Sequence, residues 1–121
     1  MVSRSWRDIP LPADFPFDDY FAEVYELFAR ADIWRVYPDA HQVLERLKEC
    51  GVRCGVLSNW DRRLRPLMEG MELSTYFEHM IISSEVGVEK PHPLIFRKAE
   101  EIFDIRPGQA LLLGDLSLIH I

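Results

Sequence analysis

The sequence lacks long apolar runs and basic clusters. No apolar stretch approaches the roughly 20 residues that a membrane-spanning helix needs. The longest basic run is the pair Arg62-Arg63, in a chain whose net charge is −6. Nucleic-acid binding depends on a basic patch that releases counterions from phosphates, and none is present here. These absences predict a cytoplasmic protein that binds neither nucleic acid nor membrane.

Cysteine is scarce as well. Cys50 and Cys54 are the two cysteines, and no group of histidines accompanies them. Because a structural zinc site needs about four ligands, two free thiols are the favoured interpretation. The composition is otherwise ordinary for one small globular domain: 121 residues, of which 48% are apolar and 28% charged.

The chain alternates between helical and strand patterns. Apolar residues at helical spacing predict helices over 18–30, 38–50 and 94–103, and a short basic helix that ends at Gly70 is predicted over 62–69. Short apolar runs predict strands over 52–57, 79–82 and 110–113. This order predicts an α/β fold, a Rossmann-like parallel sheet with helical crossovers. In such sheets, function is located at the carboxyl ends of the strands.

Polar residues stand where these strands end. Ser58 and Asn59 follow the first strand, Lys90 lies in the loop after the second, and Gly114-Asp115 follows the third. Taken singly, such residues are usually turn, cap or solvated residues. Together they place a hydroxyl, an ammonium and a carboxylate at one sheet edge. A phosphoryl group with a magnesium ion requires such groups.

Three stretches of the chain resemble motifs of the haloacid dehalogenase-like (HAD) hydrolase superfamily. Residues 55–59 resemble its second motif, a strand that ends in Ser or Thr. Residues 87–96 contain Lys-Pro-x-Pro-x-Ile-Phe, which is similar to the third motif of the subgroup with a helical cap. Residues 111–115 resemble the start of the fourth motif, and 58–64 resemble a phosphatase-like branch of uncertain substrate. The resemblance covers about residues 18–115.

The resemblance implies a role for each of these residues. Ser58 and Asn59 would lie at the phosphate, with Ser58 bonded to the transferring group and Asn59 beside it. Lys90 would bind the phosphate, stabilise its charge and orient the nucleophile. Asp115 would help to bind Mg²⁺. The implied reaction is magnesium-dependent hydrolysis of a small phosphomonoester through an aspartyl-phosphate.

The resemblance also implies a domain organisation. Residues 1–36 would be the C-terminal part of a helical cap, and 37–115 a partial HAD-like core. Residues 116–121 match a translated sequencing adaptor and are interpreted as a non-native tail, in which His120 stands where an acid is expected. The sequence assigns no oligomeric state.

One motif of the family is missing. Its first motif, Asp-x-Asp on a central strand, supplies the nucleophile and the general acid/base, and no Asp-x-Asp occurs in the chain. The chain is therefore interpreted as a fragment that is inactive alone. The missing strand would lie between the strands that end at Ser58 and at Asp115, so two inner edges of the sheet are expected to lack a partner.

Two other functions remain open. A 2-haloacid dehalogenase would displace halide without magnesium, and dehalogenases of the family lack the Gly-Asp metal acid, so Gly114-Asp115 favours the phosphatase. A non-catalytic pseudoenzyme or interaction module would keep the fold without turnover. A nucleotide-binding domain is disfavoured, because the chain has neither G-x-G-x-x-G nor G-K-[ST].

Overall fold

A computed structural model of the chain describes residues 10–114. Residues 1–9 and 115–121 lie outside this range, and with them the predictions for Asp115 and for the tail. The helices of the described range are α1 (Phe17–Leu27), α2 (Ala40–Glu49), α3 (Leu64–Gly70), α4 (Ser83–Val86) and α5 (Pro93–Phe103). The strands are β1 (Gly55–Ser58) and β2 (His79–Ile82), and two short 3₁₀ turns cover Ala31–Ile33 and Ser74–Tyr76.

The four predicted helices are confirmed as α1, α2, α3 and α5. The start of α5 has a local cause: Pro93 occupies its first turn, where no N–H is needed, and His92 Nδ1 accepts the Leu94 N–H at 3.2 Å. The one-turn helix α4 was not predicted. It ends at Gly87, whose φ of 88° lies in the left-handed region that glycine adopts without strain.

The sheet of residues 10–114 consists of β1 and β2, which pair in parallel. Gly55 lies opposite His79, and Ser58 lies opposite Ile82. The chain passes between the strands through α3, so the predicted α/β fold with a parallel sheet and a helical crossover is confirmed.

The prediction of a third strand at 110–113 is wrong for this structure. Residues 110–114 have no regular secondary structure, and the side chains of Leu111 and Leu113 are 83% and 82% exposed. A strand forms only where a neighbour satisfies its N–H and C=O groups. In the described part of the chain, β1 and β2 pair with each other alone, so this apolar segment has no strand beside it.

Helices cover both faces of β2. Ile82 is fully buried in a cluster with Leu64, Leu67 and Met68 of α3. Because successive side chains of a strand point to opposite faces, the neighbouring Ile81 is buried on the other side, where α5 packs against β2. The sheet is therefore enclosed around β2, and its carboxyl end is held in a defined position.

One cation–π contact and one hydrogen bond attach α1 to Arg63, which is itself held by an ion pair with Asp61. The Arg63 guanidinium lies 3.3 Å from the centroid of the Tyr25 ring, and its Nη1 donates to the Tyr25 carbonyl. Its Nε and Nη2 bind the Asp61 carboxylate at 2.8 and 2.7 Å. The hydrogen bond from Arg63 lowers the pKa of Asp61. A carboxylate in the loop after β1 thus orients the cation that holds α1.

Replacing Arg63 with Ala is expected to loosen α1 while β1 and β2 stay intact. The variant loses the Tyr25 contact and leaves Asp61 unpaired, so amide hydrogen exchange should accelerate about tenfold or more across α1. Arg62→Ala is the matched control, because Arg62 is exposed and adjacent. Equal exchange in both variants would show that α1 is held by its other contacts.

The same pair has a defined pH dependence. The pKa of Asp61 is lower in the folded protein than in the unfolded chain. The contribution of this ion pair to the stability of the fold is therefore fully present above the unfolded-state pKa of about 3.9, and it is lost as the pH falls through the lower pKa of the folded protein.

No helix among residues 10–114 is long and apolar enough to cross a membrane.

Candidate active site

The candidate site lies at the carboxyl end of β1. Ser58 is the last residue of this strand and is half-buried. Two residues later, the carbonyl of Trp60 accepts the Ser83 Oγ–H at 3.0 Å and the Ser84 N–H at 3.1 Å. These two bonds connect the segment after β1 to the segment after β2, which closes this edge of the sheet.

The side chain of Asn59 connects the same edge to the loop before α5. Its Oδ1 accepts the Lys90 N–H at 2.7 Å, and its Nδ2 donates to the Lys90 carbonyl at 3.0 Å. A backbone N–H can only donate and a carbonyl can only accept, so the orientation of the amide is determined by its partners. The sequence predicted that Ser58, Asn59 and Lys90 share one edge, and the structure brings Asn59 and the Lys90 backbone into contact across 31 positions.

The side chains of Ser58 and Lys90 carry the hydroxyl and the ammonium of this edge. Within residues 10–114, neither Ser58 Oγ nor Lys90 Nζ makes a hydrogen bond or an ion pair. The Lys90 side chain is half-buried, and its charge is not neutralised by a carboxylate of the described range. Within residues 10–114, a hydroxyl and an ammonium therefore lack a hydrogen-bonding or ion-pair partner at this edge.

Residues 10–114 contain no group of three or more His, Cys, Asp or Glu side chains that could hold a metal ion. Asp61 lies close to Asn59 along the chain, but both of its oxygens are bound by Arg63. The predicted magnesium ligand Asp115 lies outside the described residues. The described residues alone do not form a magnesium site.

Two features of this region were not predicted from the sequence. The contact of Arg63 with Asp61 and Tyr25 was not anticipated, because the Arg62-Arg63 pair was considered only as part of a basic helix. The bonds from Ser83 and Ser84 to Trp60 were missed because α4 was not predicted. An Asp two residues before an Arg at a helix start was an available signal for the first of these.

A comparison with known families decides the identity of this fold. The profile of the haloacid dehalogenase-like hydrolases matches residues 5–116. The chain belongs to this family. The family of the sequence prediction is thereby confirmed, and the helices, the parallel strands and the Lys90 loop are those of a HAD-like hydrolase.

Two relatives show the range of the family around this chain. It is 37% identical over 93 residues to haloacid dehalogenase-like hydrolase domain-containing protein 3 of Xenopus laevis, covering 77% of the chain and 38% of the relative. It is 41% identical over 87 residues to glyceraldehyde 3-phosphate phosphatase of Pyrococcus abyssi, covering 67% of the chain and 34% of the relative. The HAD-like chain thus spans between a third and two fifths of these relatives.

Solved structures of the family are also similar. A HAD phosphatase from Thermococcus onnurineus superimposes with a TM-score of 0.60 at 31% identity, over 62% of this chain and 35% of that one. A dehalogenase crystallised with an intermediate complex superimposes with a TM-score of 0.55 at 28% identity, over 59% of this chain and 32% of that one. The same HAD-like scaffold is therefore found in a phosphatase and in a dehalogenase.

Proposed function

We propose that the protein carrying this chain is a magnesium-dependent phosphatase that hydrolyses a small phosphomonoester through an aspartyl-phosphate. The observation that supports this most is the Asn59–Lys90 contact, which holds Lys90 next to the end of β1, where Ser58 lies. Among residues 10–114, the Lys90 ammonium has no ion-pair partner. The relatives include a glyceraldehyde 3-phosphate phosphatase and a HAD phosphatase, so a small sugar phosphate is the proposed substrate class.

The residues of this chain would bind and polarise the phosphoryl group. Ser58 Oγ would donate a hydrogen bond to a phosphate oxygen, and Lys90 Nζ would offset the negative charge on the oxygens during transfer. The attacking aspartate is not among these 121 residues, which contain no Asp-x-Asp. The proposed activity therefore belongs to the complete protein, and the isolated chain is expected to show no turnover. A cytoplasmic location is part of the proposal.

Magnesium is proposed as the cofactor, with Asp115 as one of its ligands. When bound, it would shield the phosphate oxygens and supply the charge stabilisation that side chains alone do not provide.

A 2-haloacid dehalogenase is the second candidate, and the similar dehalogenase structure favours it. Gly114-Asp115 argues for the phosphatase, because an aspartate after the predicted fourth motif suits a reaction that needs a metal ligand. A non-catalytic protein would retain the fold and turn over neither substrate.

The experiment is an assay of the complete gene product on glyceraldehyde 3-phosphate and on a generic phosphomonoester. Phosphate release is expected with Mg²⁺ and should stop in EDTA. Asp115→Ala should remove most of the activity, whereas Asp19→Ala, which changes an exposed carboxylate of α1, should not. EDTA-insensitive halide release from a 2-haloacid would support the dehalogenase. Turnover of neither substrate would support the non-catalytic protein.

A further inference from the structure

The side-chain amide of Asn59 binds Lys90 as a paired strand residue would. In an antiparallel pair of strands, two opposite residues of a hydrogen-bonded pair exchange both an N–H···O and an O···H–N bond. Asn59 makes both bonds to the N–H and the C=O of Lys90, at 2.7 and 3.0 Å. The amide therefore occupies every backbone hydrogen-bonding group of Lys90 at once, and neither of its own polar atoms is directed only toward solvent.

The loop that carries Lys90 has few other backbone bonds. Pro91 and Pro93 have no N–H to donate, so two of the next three residues cannot take part in a hydrogen-bonded turn as donors. The loop is held after Lys90 by the bond from the His92 N–H to the Glu89 carbonyl at 2.8 Å and by the start of α5 at Pro93. Before these bonds, the side chain of Asn59, directly after β1, connects the Lys90 backbone to the sheet.

We propose that Asn59 is a positioning residue for Lys90, in contrast to the direct phosphate contact expected from its place beside Ser58. Both polar atoms of its side chain are already bound to the Lys90 backbone, so they fix where the lysine stem begins. With the Lys90 backbone fixed, rotation of the lysine side chain alone would bring its ammonium to a phosphate held at Ser58. This inference rests on the proposed phosphatase function.

The test uses the complete protein with Asn59→Ala. Misplacement of a catalytic group by about 1 Å can cost on the order of 100-fold in rate, and the flexible lysine stem will recover part of it. We expect kcat for a phosphomonoester to fall about 10- to 100-fold with KM changed less than about threefold. Hydrogen exchange of the Lys90 amide should accelerate, while the amides of β1 and β2 keep their wild-type rates.

Gln109→Ala is the matched control. Gln109 Oε1 accepts the Arg106 N–H at 2.7 Å, the same kind of bond at the same length, in a turn after α5. This variant should keep kcat within about twofold. Asn59→Asp tests the two bonds separately, because its carboxylate still accepts the Lys90 N–H but cannot donate to the Lys90 carbonyl. It should retain the protection of the Lys90 amide and show a kcat between those of wild type and Asn59→Ala.

Three results would overturn the inference while the wild type remains active. The first is an unchanged kcat in Asn59→Ala. The second is a raised KM in Asn59→Ala with an unchanged exchange rate of the Lys90 amide, which indicates direct phosphate binding. The third is an equal loss of kcat in Gln109→Ala. A wild-type protein that turns over no phosphomonoester would overturn the proposed function instead. In that case the exchange rate of the Lys90 amide alone decides whether Asn59 holds the loop.

Discussion

Lys90→Ala is expected to lower kcat/KM for a phosphomonoester about 1,000-fold in the complete protein, a loss of about 4 kcal/mol of transition-state stabilisation. The size follows from the chemistry, because charge on the phosphoryl oxygens is stabilised mainly by positioned cations. Lys90 is half-buried, and in the described residues its ammonium has no carboxylate partner, so its full charge can act on a ligand.

The control for this variant is Lys98→Ala. Lys98 belongs to α5, eight residues after Lys90, and pairs with Glu101 on the surface at 3.0 Å, so its removal deletes a positive charge that is already paired. The free energy of unfolding should change little in either variant, because Lys90 has no ion-pair partner among residues 10–114 and an exposed ion pair such as that of Lys98 contributes at most about 1 kcal/mol. A Lys90→Ala enzyme with more than a tenth of the wild-type kcat/KM would contradict the role proposed for Lys90.

Ile82→Ala is expected to lower the free energy of unfolding by about 2–5 kcal/mol. Ile82 has no exposed surface and lies in the cluster with Leu64, Leu67 and Met68. Truncation leaves a cavity between β2 and α3, which the surrounding side chains cannot fill without leaving their packed positions. In a domain whose total stability is only about 5–15 kcal/mol, this loss is large. Urea denaturation followed by circular dichroism measures it.

Ile33→Ala is the matched control for the core variant. The chemical change is the same, but Ile33 is 44% exposed in the short 3₁₀ turn, so we expect a loss below about 1 kcal/mol. The slope of the unfolding free energy against urea concentration should be equal in the two variants. The difference between their unfolding free energies would then arise in the folded state. Equal losses in Ile82→Ala and Ile33→Ala would show that the Ile82 cluster does not form the core.

The helices were predictable because their causes are local. The spacing of Phe21, Val24, Tyr25 and Phe28 indicates one face of a helix whatever the rest of the chain does, and α1 formed there. The helix predicted over 94–103 is α5, which begins one residue earlier because Pro93 suits a first turn that needs no N–H. The one-turn helix α4 escaped prediction because four residues are too few to show a periodic pattern.

The third strand was predicted from a local pattern that was not sufficient. Leu111, Leu112 and Leu113 are as apolar as the residues of β1 and β2, yet they are 83%, 40% and 82% exposed. A strand depends on a partner that satisfies its backbone groups, and the sequence of a segment does not state whether that partner is beside it. The pattern identified an apolar segment correctly and could not determine its pairing.

The sequence by itself determined the family, the helical faces, the parallel pair of strands and the placement of Ser58 and Lys90 at a strand end and in a loop. These depend on residue type and spacing within about ten positions. Only the tertiary structure decided that the amide of Asn59 binds the backbone of Lys90 and that Arg63 binds Tyr25, since 31 and 38 positions separate the partners. Such contacts arise from how β1, α1 and the Lys90 loop pack together, and no local pattern records the relative position of packed elements.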